Sequence, residues 1–295
     1  MRVLIIGCGY VGLPLGVELL RQGHAVAGLR RSAEGAARLH SAGLQPLTAD
    51  ITCPGDLAKL PLPYDWIVNT SSSTKGGADD YQKVYLEGTR NVLQWLASAP
   101  PKKFIHIGST SVYAQTDASQ VKETSPAEPA TATGRILLAA EKLLLDAARA
   151  QHFPAVLLRV AGIYGPGRGH YFQQFLKGAA EISGRGKHVL NMIHRDDVVG
   201  AIITALQSGR TGEIYNLVDD EPVPQIHFFR WLSETLGRNM PPFVPESGAS
   251  AKRGATNKKI LNRKLKMELG YSFRYPTFRQ GYTAEIQRLQ DAGDL

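Results

Sequence analysis

The stretch Gly7-Cys8-Gly9-Tyr10-Val11-Gly12 follows the apolar run Arg2-Val-Leu-Ile-Ile6 and leads into Leu13-Pro-Leu-Gly-Val-Glu-Leu-Leu-Arg21. It is a G-x-G-x-x-G pattern at the junction of a strand and a helix, and that context gives the pattern its specificity. Glycines here permit a tight turn and let a pyrophosphate reach backbone N–H groups at the positive end of the helix. The stretch therefore predicts a dinucleotide held at Gly7, Gly9, Tyr10, Val11 and Gly12. A glycine-rich turn without a ligand is the plainer alternative, and the alternating units behind it favour the dinucleotide.

Those units are short β-branched runs separated by helical stretches, the rhythm of βαβ crossovers on a parallel sheet. Strands are expected at Arg2–Ile6, Ala25–Leu29, Leu44–Thr48, Asp65–Asn69, Lys102–Gly108 and Ala155–Val160. Helices are expected at Val11–Arg21, Ala33–Ala42, Tyr81–Ala97 and Ala132–Gln151. The strands are almost wholly apolar, as when helices cover both faces of a sheet. After Gly165-Pro-Gly-Arg-Gly169 the rhythm changes to helices at Tyr171–Glu181, Asp196–Gln207, Gln225–Leu236 and Lys258–Leu269, with a strand at Glu213–Val218. The reading is a Rossmann-type, doubly wound parallel α/β sheet over residues 1–168, to which 194–218 return. Residues 169–193 and 219–295 form a smaller α/β substrate domain.

Composition excludes several other classes. At 295 residues with 43% hydrophobic and 20% charged residues, the chain can bury a substantial core. Cys8 and Cys53 are too few for a disulfide scaffold and lack zinc-ligand spacing, and the scattered histidines point to no metal site. A reducing, cytoplasmic setting fits. The apolar start with Cys8 imitates an export signal, but only about five apolar residues precede Cys8, against the roughly 7 to 15 of a signal core. No stretch approaches the roughly 18 apolar residues of a membrane span. The net charge of +8 is concentrated between Ala251 and Gln280, where nine Lys/Arg face the single acid Glu268, an excess equal to the whole net charge. With the rest neutral overall and no nucleic-acid motif, nucleic acid is disfavoured. The basic stretch reads as a solvated helix face or as a pocket for a phosphorylated ligand.

About twenty residues beyond the glycine stretch, where an NAD site carries an acid for the ribose hydroxyls, the second strand ends Leu29-Arg30-Arg31-Ser32. A carboxylate there would repel a 2′-phosphate, whereas two guanidiniums and a hydroxyl can bind it. NADP(H) is therefore expected over NAD(H), with Arg30, Arg31 and Ser32 as the discriminating residues.

Further motifs in order make the chain resemble the extended short-chain dehydrogenases/reductases, specifically the NAD(P)-dependent epimerase/dehydratase family. Asp50-Ile51 matches the acidic–apolar pair that meets adenine, and Thr70-Ser71-Ser72 the loop after the fourth strand. Gly88-Thr89-Arg90-Asn91-Val92-Leu93 matches the "GT-x-N-V-L" helix, and Ser109-Thr-Ser-Val-Tyr113 the "S-x-x-V-Y" segment. Leu158-Arg159 with Ile163-Tyr-Gly-Pro-Gly-Arg168 matches the "LR…YGPG" box, His194-Arg-Asp-Asp-Val198 the "H-x-D-D-V" helix start, and Tyr215-Asn216 the strand after it. The resemblance covers nearly the whole chain. It implies that Asp50, Ile51, Thr70, Ser71, Ser72 and Ile163 join the cofactor site.

The same resemblance implies a catalytic Tyr with a Lys four residues on, a Ser/Thr and an upstream Asn. Here the chain departs from it. Placing Glu141 eight residues after the Tyr puts Thr133 at the Tyr position and Leu137 at the Lys position. Gly88-Thr89 puts Tyr85 at the Asn position, so the tetrad reads as degraded to Ser109. A tyrosine of pKa about 10 is a poor base at neutral pH without that ammonium. The candidate catalytic residues are Ser109, Tyr85 as a recruited acid, and Thr133, with Tyr113 and Tyr164 as weaker acids. One reading is an NADP(H)-dependent oxidoreductase or epimerase acting on a nucleotide-linked sugar or other small carbonyl compound. Ser109 with water could also suffice for an activated acceptor. The alternative is a non-catalytic NADP(H)-binding redox sensor or scaffold. His106, His194, Glu141 and Arg159 read as structural, Lys252–Lys266 as a candidate phosphate site, and the 81–97 and 132–151 helices as the place for a homodimer.

Overall fold

The computed structural model describes residues 1–245 and 256–295. Seven strands form one parallel sheet: β1 (Arg2–Ile6), β2 (Ala25–Arg30), β3 (Gln45–Thr48), β4 (Trp66–Asn69), β5 (Lys103–Ser109), β6 (Ala155–Val160) and β7 (Ile214–Leu217). Their order is β7-β6-β5-β4-β1-β2-β3, with parallel register at every junction. Strand order thus reverses between β1 and β4, which opens a crevice at their carboxyl ends. This is the Rossmann-type fold expected from the sequence.

Helices cover both faces because the strands present apolar side chains to both. Helices α1 (Gly12–Arg21), α2 (Ala33–Ser41) and α5 (Arg195–Ser208) pack Leu15, Leu19, Leu39, Val198 and Ile202 on one face. Helices α3 (Gly88–Leu96) and α4 (Ala132–Gln151) pack Val92, Leu96, Leu144 and Ala147 on the other. A third, largely aromatic core joins Phe172, Phe175, Phe228, Phe229, Phe278 and Tyr282 from the helices His170–Leu176, Gln225–Leu236 and Phe278–Asp291.

Three expectations are corrected. The helix expected over Tyr81–Ala97 is a longer helical run, in which Gly77–Tyr81 and α3 are joined by a π-helical turn at Gln82–Glu87. The helix expected to reach Glu181 ends at Leu176, because Gly178 takes φ +68°, a left-handed conformation that stops the helix. The segment expected as a helix from Lys258 begins as a strand, Lys258–Ile260, paired in parallel with Ser119–Val121, and only Arg263–Leu269 is helical. Burial of a lysine flanked by polar residues hid the strand from a pattern reading. The helix Phe278–Asp291, opened by a Thr277/Gln280 capping box, was not anticipated at all. Among the described residues no helix is long and apolar enough to cross a membrane.

Candidate active site

A cleft of about 690 Å³ lies at the crevice and is lined by the ends of β1, β2 and β4–β6 together with α4 and the π-turn. Every sequence-predicted cofactor residue except Gly12 lines it, and so do Ser109, Tyr85 and Thr133. A Cβ on Gly12 would lie 2.9 Å from both Ile5 Cγ2 and Thr70 Oγ1, so that glycine serves close helix-to-strand packing instead of facing the cleft.

At the glycine end, Gly7 has φ +74° and a Cβ there would fall 2.4 Å from Ser71 Cα, so only glycine fits between the two loops. Thr70 Oγ1 donates to the Ile6 and Gly7 carbonyls, each at 3.0 Å, which locks the loops together. No side chain caps the first turn of α1. Leu13 N donates to Gly9 O and Pro14 carries no N–H, so it is the backbone of Gly9, Tyr10 and Val11 at this helix start that lines the cleft, a fit for a pyrophosphate.

Arg30 lies across this cradle: its Nη1 donates to Cys8 O at 3.4 Å and sits 2.7 Å from where a Gly9 Cβ would be. Arg31 leans the other way, donating to Thr74 Oγ1 at 3.2 Å with its other nitrogen 4.0 Å from Asp50 Oδ2. Ser32 caps α2 by accepting from Gly35 N at 3.2 Å, leaving its own proton to donate. Asp50 is fixed by Thr52, whose N and Oγ1 donate to Oδ1 at 2.9 and 2.8 Å. The GT-x-N motif is explained by the next residue. Asn91 donates to Ile51 O at 2.9 Å, and the Ile51 side chain fills the space a Gly88 Cβ would take.

The other end of the cleft is built from residues far apart in sequence. Thr133, Leu137 and Glu141 share one helical face at i, i+4 and i+8. Glu141 fits beneath Gly108, where a Cβ would lie 2.9 Å from its Oε1, and this register turns Thr133 and Leu137 to the cleft. Ser109 sits at the end of β5, accepting from Ser111 N at 3.2 Å. Thr133 donates to Thr131 Oγ1 at 3.3 Å. Tyr85 stands on the π-turn, its ring 4.8 Å from that of Tyr81 and its hydroxyl accepting from Ser73 N at 3.4 Å. Burial pushes the Tyr85 pKa up, against the pull of the Ser73 N–H. A phenol is protonated at neutral pH in any case, and burial holds it so. No lysine is among the described residues that line the cleft.

Tyr113 and Tyr164 are not available as acids. Tyr113 is fully buried, accepting from Arg159 Nη1 at 2.8 Å and donating to Asn216 Oδ1 at 2.9 Å, while Arg159 is paired with buried Glu141 at 2.7 Å. Motif residues from four segments thus form one polar network below the cleft, which makes Glu141 and Arg159 structural. Tyr164 is stacked on Tyr282 at 4.2 Å in the aromatic core. His194 itself caps α5, accepting from Asp196 N, and Asp197 holds the loop at Tyr271–Tyr275. His106 is buried as expected of a core residue, yet its Nδ1 has no partner among the described residues and burial pulls its pKa down to about 4.

Of the candidate phosphate site at Lys252–Lys266, no described residue lines the cleft. Lys252 and Arg253 lie outside the described residues. Lys258 Nζ is bonded to Tyr113 O at 2.6 Å, Lys264 to Glu213 and Lys266 to Asp220 at 3.0 Å. None of these lines the cleft. Beside Arg30 and Arg31, the described cation that does is Arg168, at the end of the YGPG box. Its place directly after a glycine turn at a strand's carboxyl end was the signal available.

The profile of the family described as "NAD dependent epimerase/dehydratase family" matches residues 3–217. Protein YeeZ of Escherichia coli K12 is 28% identical over 284 residues, covering 93% of this chain and 96% of that protein. A 4-hydroxy-2-methyl-3-oxo-4-farnesyl-3,4-dihydroquinoline-1-oxide ketoreductase of Stigmatella aurantiaca is 27% identical, covering 96% and 95%. A solved structure from Methylobacillus flagellatus, ascribed to the NAD-dependent epimerases/dehydratases, is 32% identical and superposes with a TM-score of 0.79, covering 98% of each chain.

Proposed function

The chain belongs to the NAD-dependent epimerase/dehydratase family, and from that membership we propose that it is an NADP(H)-dependent reductase of a small carbonyl compound. The observation that carries the reading is the cleft itself. One end offers a glycine cradle, an uncapped helix start and two arginines; the other offers several hydroxyls and, among the described residues, no lysine. The 2′-phosphate of the adenosine ribose would lie between Arg30 and Arg31, with Ser32 donating, and Asp50 and Ile51 against adenine.

Bound NADPH would supply a hydride to the carbonyl carbon. The protein's part is to stabilise and protonate the oxygen that becomes negative. Ser109 donates a hydrogen bond to that oxygen, and Tyr85, kept protonated by burial, gives it the proton. An acid without a nearby ammonium suits reduction. Oxidation or epimerisation must begin by removing a proton, for which such a tyrosine is a poor base. Thr133 and Leu137, in the places of the family's Tyr and Lys, complete the wall without acid–base work, so that the tetrad is degraded but a proton donor remains. Residues 169–193 and the described part of 219–295 would form the substrate domain over this end, apart from Arg263–Leu269, whose Leu265 and Leu269 join the core on one face of the sheet. The similarity to a ketoreductase over nearly the whole chain supports the same direction.

The test is titration of the pure protein with NADPH and NADH, followed by a turnover screen against aldehydes, ketones and imines. Tighter binding of NADPH with turnover of any acceptor is expected. Tight binding with no turnover would replace this reading by a non-catalytic NADP(H)-binding sensor or scaffold.

A further inference from the structure

Two guanidiniums face the ring of Tyr10: Arg168 at 4.9 Å and Arg195 at 5.4 Å from its centroid. Arg195 is engaged by the carboxylate of Asp196, with nitrogens 3.0 and 2.9 Å from Oδ1. Arg168 lines the cleft, is exposed, and has no carboxylate partner among the described residues. Its backbone is nonetheless held firmly. Gly165 N donates to Arg168 O at 3.1 Å and Arg168 N to Gly165 O at 2.9 Å, a closed turn with Gly167 at φ +70° and Gly169 at φ +133°. The fold thus carries an uncompensated cation on a rigid turn beyond β6, on the opposite half of the sheet from Arg30 and Arg31. Among the described cleft residues there are three arginines and one carboxylate, and that carboxylate, Asp50, is the one beside Arg31. No carboxylate among the described cleft residues therefore neutralises Arg168. Its charge also reaches the Tyr85 hydroxyl, pulling its pKa down against the larger push of burial.

We infer that Arg168 anchors an anionic group of the substrate, so that the carbonyl compound reduced here carries a carboxylate or a phosphate. The inference rests on the reductase reading for the location of the substrate and adds its charge. A guanidinium recognises either anion by paired N–H bonds, and a planar fork stacked on a tyrosine loses little freedom on binding. The paired rings of Tyr81 and Tyr85 give this end an aromatic wall, which makes aryl compounds suitable probes.

The experiment loads the full-length protein with NADPH and titrates it by calorimetry with benzoate, phenyl phosphate and neutral benzamide. Wild type is expected to bind one or both anions at least about tenfold tighter than benzamide, the difference made by one charge-assisted hydrogen bond or more. Whether benzoate or phenyl phosphate gains more assigns the group. Arg168→Gln should erase the preference while leaving benzamide binding and the NADPH Kd unchanged, and Arg168→Lys should keep part of it. Equal binding of anions and benzamide in wild type, or a preference that survives Arg168→Gln, overturns the inference. So does an NADPH Kd weakened by Arg168→Gln, since Arg168 would then serve the cofactor's phosphates. A wild type that fails to bind NADPH breaks the reductase reading instead, and circular dichroism of the variants separates all these outcomes from misfolding.

Discussion

The two ends of the cleft are built in different ways. At the end proposed to hold adenosine, the lining comes from backbone and from residues that follow one another: the Gly7–Gly12 loop, Arg30–Ser32 after β2, Asp50–Ile51 and Thr70–Ser72. At the opposite end, single side chains arrive from β5, α4, the π-turn and the turn beyond β6. A dinucleotide presents the same phosphates and ribose to every protein that binds it, so one local backbone solution serves. A substrate end needs only a few side chains at one point, and any element reaching that point can supply them. On the proposed reading, the binding end is intact and the chemistry end has been rebuilt around a different tyrosine.

The comparison breaks first if the cradle is not the cofactor site. Gly9→Val should weaken NADPH binding by about a thousandfold or more, because its branched side chain fills the pyrophosphate approach. In the structure the position of its Cβ meets only the movable end of Arg30 closely, so the fold should survive. Calorimetry with circular dichroism checks both, and a folded variant with normal affinity would refute the assignment.

At the other end, Ser109→Ala should cut turnover by about 10² to 10³ with an unchanged NADPH Kd, in line with loss of an oxyanion donor. Tyr85→Phe should lose a similar or smaller factor. Unchanged rates in both would remove the recruited tyrosine. Arg30→Asp should erase the NADPH-over-NADH preference, a change of about 10 to 150-fold for one charged hydrogen bond. It should leave kcat with saturating NADPH unaltered, which separates the two ends.

The smallest effect concerns acid. Native His106 is held neutral down to about pH 4, whereas its ordinary pKa is 6.5. Between those values the unfolded chain binds a proton that the native chain refuses, so stability falls as pH falls through that window. The melting temperature should drop from pH 7 to pH 5, and His106→Leu should flatten that slope, by at most about 1.4 kcal/mol per pH unit at 25 °C. A parallel slope in the variant would place the acid sensitivity elsewhere.

The difference between the ends also governs what could be read from sequence. The sheet, most helices and the residues that line the glycine end of the cleft were legible because each is a local pattern: a glycine spacing, an apolar run, a pair of arginines behind a strand. Gly88 and Asn91 were legible as a motif, but their reason, the seating of Ile51, needed coordinates. Tyr85 could be named but not aimed, since the π-turn that carries it leaves no periodic signal. The roles of Tyr113 and Lys258 were not legible locally, for one reason. A buried partner distant in sequence decides what each hydroxyl or ammonium does. Arg168 was passed over because an arginine in a glycine turn looks like surface until the turn is placed at the cleft.

The pairing of Lys258–Ile260 with Ser119–Val121 sets an order of assembly. Every strand of the seven-stranded sheet has been synthesised once residue 217 is made, and the cradle is complete well before that. The segment that follows Ser109 is different. Its short strand stays unpaired, and the Tyr113 carbonyl lacks its ammonium, until a stretch near the far end of the chain returns to them. Such long-range closure comes late, since its loop entropy must be overcome before its contacts form. On the proposed reading, the residues for the nucleotide are thus all synthesised well before the lysine that holds still the floor on which the reaction would take place.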